Sequence, residues 1–356
     1  MSAAAIITGI GAVGGFGCGV AALAAALHAG TAGPAGVFKV RTAHVQADVD
    51  ALLADIAPLA DFVPKKALRR IDRFTRLALL GSCLALADAR LDEKRRGRMG
   101  IIVATGYGST CDTFDFLNTT VDEDDPCRSP IRFANSVHSA AAAHISAFLN
   151  EHGPTLTINQ YDMSVPLAFL TACQWLTEDR VDSVLVGGTD EFSRAMGYYS
   201  QHLKDGDHPA AASAQAPVGE GSVFFVLEKK PAGPRGYARI CSAAVGGPGN
   251  ESITVPSGAK LIVNASAPRT LQPEKDRPAV SFTHLYGRLP VGSAFDIAVA
   301  AILLENGPHG PPDPAGRRQK TPLLCAARRD DHRDIGCLTH GIAGDSGLVV
   351  LAALEI

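Results

Sequence analysis

Residues 155–191 constrain the fold of this chain more than any other stretch. Their pattern predicts a β-branched apolar strand at 156–158, a tight polar turn, an amphipathic helix, and a second buried strand at 183–186 that ends at a pair of glycines. In several kinds of α/β enzyme, a turn that joins a strand to a helix in this way presents the nucleophile. The residue at this position is Asp162. The stretch therefore predicts an α/β unit with a candidate functional residue at the start of its helix.

The alternation of helices and buried strands continues along the chain. A helical pattern covers residues 69–91, a strongly apolar strand follows at 99–105, and a helix of small residues is predicted at 136–149. Such alternation is typical of an α/β fold with a covered sheet. With 356 residues, 46% of them hydrophobic, the chain can bury one large core or two domains of ordinary size.

Two pairs of segments repeat in the same order and indicate a duplicated α/β half. The pairs are residues 12–17 with 244–249, and residues 219–228 with 344–355. The soft stretch at 229–236 is the predicted seam. We therefore expect an N-terminal half at 1–230 and a C-terminal half at 237–356.

The glycine-rich segment at 9–19 contains the GxGxxG pattern of dinucleotide-binding folds, between a predicted strand at 4–8 and a predicted helix at 20–28. Those folds place an acidic residue about 20 positions later to hold the ribose. The first acidic residue of this chain is Asp48, too far along to serve. We therefore favour a structural glycine-rich turn over a cofactor loop.

Charge and cysteine content argue against several classes of protein. The formal net charge of −3 leaves no broad basic field for nucleic acid. The eight cysteines form no CxxC pair, which argues against a metal site or redox motif and favours reduced thiols. The first 38 residues contain no Lys, Arg, Asp or Glu, yet glycines interrupt this apolar run and no positive segment precedes it. We expect a cytoplasmic protein with no signal peptide, membrane span or bound metal.

Six segments together resemble the β-ketoacyl synthases of the thiolase fold, and the likeness spans almost the full chain. The segments are IITGIGAVGGFG (6–17), DRFTRLALLGSCLALADARL (72–91), GIIVATGYGS (100–109), GPTLTI (153–158), VDSVLVGGTDE (181–191) and VGEGSVFFVLE (218–228). The resemblance implies two pseudo-symmetric α/β halves in a layered αβαβα arrangement.

The resemblance also marks the catalytic positions of the family, and this chain replaces them. By the family's spacing, Asp162 stands where the nucleophilic cysteine would be, Ser266 and Arg288 stand for the two histidines, and Thr283 stands for a lysine. A carboxylate substitutes poorly for a thiolate because its acyl anhydride is labile in water. An arginine cannot accept hydrogen bonds as an imidazole does. The gating loop, matched by residues 338–344, also lacks its phenylalanines. The resemblance thus implies no catalytic residue in this chain.

Cys173 lies in a TAC triplet similar to the one around the family's nucleophile. It falls in the middle of the predicted helix, where Phe169, Ala172, Cys173 and Leu176 form one apolar face. This spacing favours a core residue over a nucleophile. The alternative is a free-standing acyltransferase that uses Asp162 or Cys173.

One branch of the family resembles this chain in the catalytic residues that it lacks. Chain length factors of type II polyketide synthases resemble ketosynthases, usually carry glutamine at the cysteine position, and show a TGRLxSGGxxLDV segment. Residues 286–297 read YGRLPVGSAFDI, which agrees in several positions once one gap is allowed. Asp162 departs from the usual glutamine. The stretch at 250–261 also leaves no room for the helix that usually precedes the first histidine segment.

A chain length factor is a non-condensing subunit that pairs with an active ketosynthase. The partner receives substrate from an acyl carrier protein with its phosphopantetheine arm, so the resemblance implies no cofactor in this chain. In this branch the helix after the strand at 99–105 lines the tunnel that receives the growing chain. Cys111, Phe114 and Asn118 share one face of that helix and are the predicted tunnel residues, or else ordinary interface residues. A structural homodimer with no polyketide role is a further alternative.

Two structural roles are open for Asp162. As an N-cap it would accept hydrogen bonds from the free N–H groups of the following helix, with Pro166 in the first turn. As a partner of Arg288 it would form a buried ion pair that fills the vacated pocket. On the second hypothesis, Asp162→Ala would impair the stability of a heterodimer.

Overall fold

The computed structural model describes residues 5–32, 36–41, 46–121, 129–205, 216–229, 236–248, 253–264, 279–305, 334–341 and 343–354. The strands in these residues are β1 (Ala5–Gly14), β2 (Gly17–Cys18), β3 (Gly36–Arg41), β4 (Gln46–Leu52), β5 (Met99–Thr105), β6 (Thr155–Asn159), β7 (Ser183–Asp190), β8 (Val218–Gly219), β9 (Gly221–Glu228), β10 (Ala238–Gly246), β11 (Ala259–Asn264), β12 (Ala279–Val280), β13 (Asp334–His340) and β14 (Ser346–Ala352). The helices are α1 (Val20–Ala29), α2 (Arg73–Ala89), α3 (Thr110–Val121), α4 (Pro130–Ser136), α5 (Ala140–Leu149), α6 (Ser164–Thr177), α7 (Arg194–Asp205), α8 (Thr283–Tyr286) and α9 (Gly292–Glu305).

Two sets of five strands share one order and one pattern of directions. The first set runs β1-β9-β7-β5-β6 and the second runs β10-β14-β13-β11-β12. In each set the first two contacts are antiparallel and the last two are parallel. Antiparallel pairing of β1 with β10 joins the sets, with Ile6 opposite Arg239. A separate small sheet runs β3-β4-β8. The predicted α/β class is confirmed, and the predicted seam falls between β9 and β10.

Helices α6 and α9 lie between the two sets of strands. Helix α6 packs on β5, β6 and β7 of the first set and on β10 and β14 of the second, while α9 packs on β11, β13 and β14 and also on β1 and β9. All residues from Gly292 to Leu304 are buried, as a helix enclosed on every side requires. Helix α2 covers the opposite face of the first set, against β1, β7 and β9, together with α5.

The opposite face of the second set differs from this arrangement. Among the described residues it is covered by a small apolar cluster rather than by a helix, in which Ile253 and Val255 pack against Ile262 and Leu348. Within the stretch at 250–261 where the sequence left no room for a helix, residues 253–258 form neither helix nor strand. No helix within the described ranges is both long and apolar enough to cross a bilayer.

The glycine-rich segment forms a strand where the sequence predicted a loop. Strand β1 continues to Gly14, so the predicted strand end at residue 8 was wrong. The reason is tertiary: a Cβ at Gly9 would lie 2.4 Å from the Ala85 carbonyl oxygen of α2, and one at Gly11 would lie 2.0 Å from that of Gly81. These glycines let a helix approach the strand closely, which is a structural role.

The glycine pair at 187–188 has a similar role. We expected it to close the strand, but β7 runs through it to Asp190. A Cβ at Gly187 would lie 2.3 Å from the Val223 carbonyl oxygen on β9. The other strand of this unit, β6, lies at the end of the sheet and its residues are exposed or half-buried. It is therefore an edge strand.

Candidate functional site

The turn after β6 joins a strand to a helix, which is the arrangement that presents a nucleophile in several kinds of α/β enzyme. It is a short 3-10 turn at Tyr161–Met163 that leads directly into α6. The Ser164 hydroxyl accepts a hydrogen bond from the Gln160 N–H at 2.7 Å and donates one to the Thr105 carbonyl at 2.8 Å. Tyr161 has a φ of 46°, an uncommon value for a residue with a side chain. The turn is therefore fixed to the end of β5.

Asp162 does not cap α6. The residue before the helix is Met163, and no side chain caps it. The capping prediction was wrong because the 3-10 turn moves Asp162 back from the N-cap position. Its side chain is largely buried, and this burial, together with the charges of Asp345 and Asp190, raises the pKa of Asp162 to about 7. The turn before α6 thus holds a carboxyl that is about half protonated near neutral pH.

Asp162 and Arg288 form no ion pair in the part of the chain that the structure describes. The backbone of Arg288 is bound to β8, since its N–H donates to the Pro217 carbonyl at 2.8 Å and its carbonyl accepts from Gly219 at 3.0 Å. Its guanidinium faces Tyr107 and Tyr199, and burial lowers its pKa. The ion-pair prediction was therefore wrong, because the arginine faces two tyrosines and Asp162 faces two carboxylates.

The remaining family positions lie on the second half of the chain. Ser266 falls outside the described residues. Thr283 begins α8, and its hydroxyl lies 2.9 Å from that of Ser281. His340 is the last residue of β13, the strand that contacts the turn carrying Asp162, and its Nδ1 is 3.0 Å from the Ser346 hydroxyl. Burial lowers the pKa of His340, which favours the neutral imidazole.

Cys173 is a core residue, as its spacing predicted. It is 4% exposed and belongs to the main apolar cluster with residues of α6 and β7. Burial raises the pKa of its thiol to about 12. A thiolate, which nucleophilic attack requires, is therefore scarce at this position at neutral pH.

The predicted tunnel residues lie on an open face of α3. Cys111 is half-buried, Phe114 is 47% exposed and Asn118 is exposed. Helix α3 contains no fully buried residue. The Cys111 N–H donates to Glu191 Oε1 at 2.8 Å, and the thiol lies 3.5 Å from the Phe192 carbonyl. These contacts hold the first turn of α3, while its outer face is free for another molecule.

Several buried carboxyl groups surround the base of α3, and the sequence reasoning missed them. Asp190 accepts hydrogen bonds from the Thr105 hydroxyl at 2.7 Å and from the Tyr107 N–H at 3.0 Å, and burial raises its pKa to about 6. Glu220 accepts from Arg73 and from the Ala54 and Phe192 N–H groups. Acidic residues directly after an apolar strand, as in the TDE of 189–191, were the available signal. Across the ranges with described structure, no group of three or more His, Cys, Asp or Glu could hold a metal ion.

A set of exposed apolar side chains lies on α3, α4, β6 and the turn after β6, which we call the α3–β6 face. Its members are Phe114, Leu117, Ile131, Phe133, Val137, Leu156 and Tyr161. Helix α3 packs on α4, α4 packs on α5, and α5 packs on β6. So many exposed apolar side chains on neighbouring elements indicate a surface for another protein.

A basic surface lies before α2. Lys65, Lys66, Arg69 and Arg70 are exposed. None of them forms an ion pair with another described residue. The cluster lies close to α3, because Asn135 of α4 donates both to the Arg70 carbonyl at 3.2 Å and to Asp112 of α3 at 2.9 Å.

Comparison with known proteins gives a family match over most of the first half. Residues 6–232 match the N-terminal domain of β-ketoacyl synthases. Nodulation protein E of Rhizobium leguminosarum bv. trifolii is 28% identical over 189 residues, which cover 52% of this chain and 46% of that protein. The 3-oxoacyl-[acyl-carrier-protein] synthase 2 of Staphylococcus aureus is 27% identical over 135 residues, which cover 37% of this chain and 33% of that protein. The matched region spans half or less of these curated relatives.

Solved structures match over the whole chain. The ishigamide ketosynthase/chain length factor has a TM-score of 0.70 at 20% identity, covering 99% of this chain and 100% of that one. A type II polyketide synthase ketosynthase, AntDE, in complex with its acyl-carrier protein AntF has a TM-score of 0.74 at 14% identity, with the same coverage. A β-ketoacyl synthase from Burkholderia phymatum STM815 has a TM-score of 0.74 at 18% identity and covers 100% of both chains. At these identities the likeness concerns the fold, and it confirms the expected thiolase-like ketosynthase fold.

Proposed function

The chain belongs to the β-ketoacyl synthase family, and on that premise we propose that it is a non-condensing subunit of the chain length factor type. In this proposal it pairs with an active ketosynthase in the cytoplasm and forms one wall of the tunnel that receives the growing polyketide or polyene, as in antibiotic biosynthesis. Asp162, Ser266, Thr283 and Arg288 are vestigial positions. The acyl chemistry belongs to the partner's cysteine, which an acyl carrier protein supplies through its phosphopantetheine.

The observation that carries this proposal is the nucleophile turn occupied by Asp162. The turn is held in place by Ser164, yet the side chain that it presents is a carboxyl rather than a thiol. A carboxyl that is half protonated near neutral pH is a weak nucleophile, and its acyl anhydride would hydrolyse. The strand–turn–helix arrangement supports the proposal because it holds a carboxyl where condensation needs a thiol.

The α3–β6 face supports the heterodimer. It carries exposed aromatic and aliphatic side chains, which are enriched at the cores of protein interfaces. It also includes β6, an edge strand whose outward backbone groups can pair with a strand of another chain. A partner on this face would cover Phe114 and Asn118 and close a tunnel against α3.

The exposed basic cluster before α2 supports docking of an acyl carrier protein. Lys65, Lys66, Arg69 and Arg70 would attract a partner with an acidic surface and increase its rate of association. The cluster lies beside α3, so a phosphopantetheine arm delivered there would enter near the proposed tunnel. The solved ketosynthase complex similar to this chain contains an acyl-carrier protein.

Co-expression with the neighbouring ketosynthase tests the proposal. We expect native mass spectrometry to give one copy of each chain per heterodimer. After incubation with acyl carrier protein, peptide mass spectrometry should find the acyl adduct on the partner alone. An adduct on Asp162 or Cys173 would instead establish the free-standing enzyme, and a stable self-dimer with no affinity for the ketosynthase would establish the structural homodimer.

Variants of α3 test the tunnel. Phe114→Ala should lengthen the product by at least one extender unit and Asn118→Trp should shorten it, because a packed wall cannot accept extra carbons without strain. Thr120→Ala is the matched control, since residue 120 lies on the opposite side of the helix. Product length is read by mass spectrometry, and unchanged lengths in both wall variants would refute the role of α3.

A further inference from the structure

Hydrogen bonds at its first turn hold helix α3 more than side-chain packing along its length does. None of its residues is fully buried, so little apolar packing fixes its position. The first turn is bound by two acidic side chains from other elements: Glu191 Oε1 accepts the Cys111 N–H at 2.8 Å, and Asp72 Oδ2 accepts the Ser109 hydroxyl at 2.8 Å. Along the helix, Asp112 accepts from Asn135 of α4 at 2.9 Å.

The end of β7, next to Glu191, is held by several hydrogen bonds. Glu191 is 0% exposed and directly follows Asp190, whose carboxylate is bound to the hydroxyl and backbone groups at the end of β5. On its other side, the Phe192 N–H donates to Glu220 Oε2 at 3.1 Å, and Glu220 is bound by Arg73. A weakly packed helix is thus joined to a well-fixed strand end by the hydrogen bond from the Cys111 N–H to Glu191 Oε1 and by the weaker contact of the Cys111 thiol with the Phe192 carbonyl.

We propose that Glu191 is a positioning residue for α3: its buried carboxyl fixes the first turn of this helix and so sets the depth of the tunnel wall that α3 carries. The inference rests on the proposed function, because the depth of the wall matters only if α3 lines the tunnel. Glu191 touches no substrate in this role. It acts through Cys111 and the residues that follow on the same helix face.

The surroundings of the second carboxyl oxygen indicate the protonation state in which Glu191 holds the first turn of α3. Oε2 is buried and has no hydrogen-bond partner among the described residues. The charged and titratable groups around the carboxyl are Asp72 and Arg73 from the start of α2, Cys111 from α3, and Glu220 before β9. Burial raises the pKa of Glu191 to about 8, so the carboxyl is mostly neutral at pH 7. A glutamine therefore reproduces both its shape and its charge.

Two variants separate the effect of this anchor, the hydrogen bond from the Cys111 N–H to Glu191, from the effect of ordinary side-chain packing. Glu191→Gln keeps an oxygen acceptor for the Cys111 N–H, while Glu191→Ala removes it and leaves that part-buried N–H without this partner. Glu178→Ala, at an exposed glutamate beyond the end of α6, is the matched control. All are made in the full chain and measured in the complex with its ketosynthase.

Two readouts are needed. In hydrogen exchange, amides of α3 should exchange about tenfold faster in Glu191→Ala than in wild type, with Glu191→Gln and Glu178→Ala within about twofold. The product should become longer and more mixed in length in Glu191→Ala alone. Raising the pH through about 8 should loosen α3 in wild type but not in Glu191→Gln, because only the glutamate ionises.

The outcomes distinguish this inference from the function on which it rests. If Phe114→Ala changes product length but Glu191→Ala changes neither exchange nor length, the inference is overturned and the proposed function stands. If the wall variants leave product length unchanged, the proposed function fails and the inference fails with it. If Glu191→Ala does not fold, the pH comparison of wild type with Glu191→Gln decides, and identical pH profiles would overturn the anchor.

Discussion

Asp162 is destabilising in its charged form, because its carboxyl lies largely buried between Asp345 and Asp190. Its folded-state pKa is about 7, above the ordinary value of 3.8, so the folded state binds a proton that the unfolded state has already lost. The stability that this proton provides is fully present below pH 3.8 and is lost as the pH rises to about 7. We expect Asp162→Asn to remove this loss and to stabilise the chain at pH 8 by about 2 kcal/mol, roughly half of what the full rise of the pKa would give, because the residue is not fully buried and water screens part of its charge.

Urea unfolding between pH 4 and pH 8 gives the free energy of unfolding of wild type and variant. The difference between the two isolates the effect of Asp162, because the other titrating groups contribute equally to both. Asp182→Asn is the control with the opposite sign. Its hydrogen bonds to Arg98 lower the pKa of that exposed aspartate, so its replacement should remove a small stability that is present above pH 3.8. An Asp162→Asn chain less stable than wild type at pH 8 would mean that a cation pairs with Asp162.

Single positions on the chain differ in how far they could be predicted. The spacing within residues 155–191 located Asp162 at the nucleophile turn, because strand, turn and helix are local in sequence. The neighbours of Asp162 could not be predicted in this way. Asp345 reaches it from the turn before β14, and Arg288 was expected there but faces Tyr107 and Tyr199. Which side chains meet across two halves of a fold depends on packing far apart in sequence.

Strand β6 is the element through which a partner chain can extend the sheet. Its pairing with β5 uses alternate residues, since the Ile101 N–H donates to the Pro154 carbonyl. Thr157 is one of the residues whose backbone groups then point away from β5. We expect Thr157→Pro to weaken the heterodimer by at least about tenfold, because proline removes an outward N–H and adds a ring at the interface.

Thr157→Ala is the control for that change, because alanine shortens the side chain but keeps the N–H. Each heterodimer is titrated by native mass spectrometry or analytical ultracentrifugation, and far-ultraviolet circular dichroism checks that the fold is unchanged. Equal affinities for the proline and alanine variants would exclude backbone pairing through this edge. The α3–β6 face would then bind its partner by side chains alone.

The ends of two strands were predicted wrongly because both predictions treated glycine as a sign of a turn. Glycine is a local signal for turns, so the strand at the start of the chain was ended at residue 8 and the strand at 183–186 was closed at Gly187. Both strands continue, because these glycines lie where a neighbouring helix or strand comes too close for a Cβ. Helix α6, by contrast, was predictable because its apolar periodicity is strong and local.

The whole molecule repeats one arrangement of five strands, as the echo between residues 219–228 and 344–355 suggested. Those segments contain β9 and β14, the second strands of their sets. We propose on this basis that 1–230 and 237–356 are the two halves of a single compact unit. Helices α6 and α9 occupy equivalent places after β6 and β12, and they pack against each other between the two sets of strands.

The distribution of charge over the whole molecule gives a last prediction. The chain carries a net charge of −3, so an acidic partner is repelled except where positive charge is concentrated, as at Lys65, Lys66, Arg69 and Arg70. Replacing Lys65 and Lys66 by glutamate should weaken binding of the acyl carrier protein by on the order of tenfold at low salt and flatten its salt dependence. Replacing Lys94 and Arg95, which are also exposed, makes the same change of net charge elsewhere. Surface plasmon resonance at several salt concentrations compares the affinities of the two double variants for the acyl carrier protein. Equal losses in the two double variants would show that net charge, rather than this cluster, governs docking, because a specific site must be more sensitive to its own charges than to distant ones.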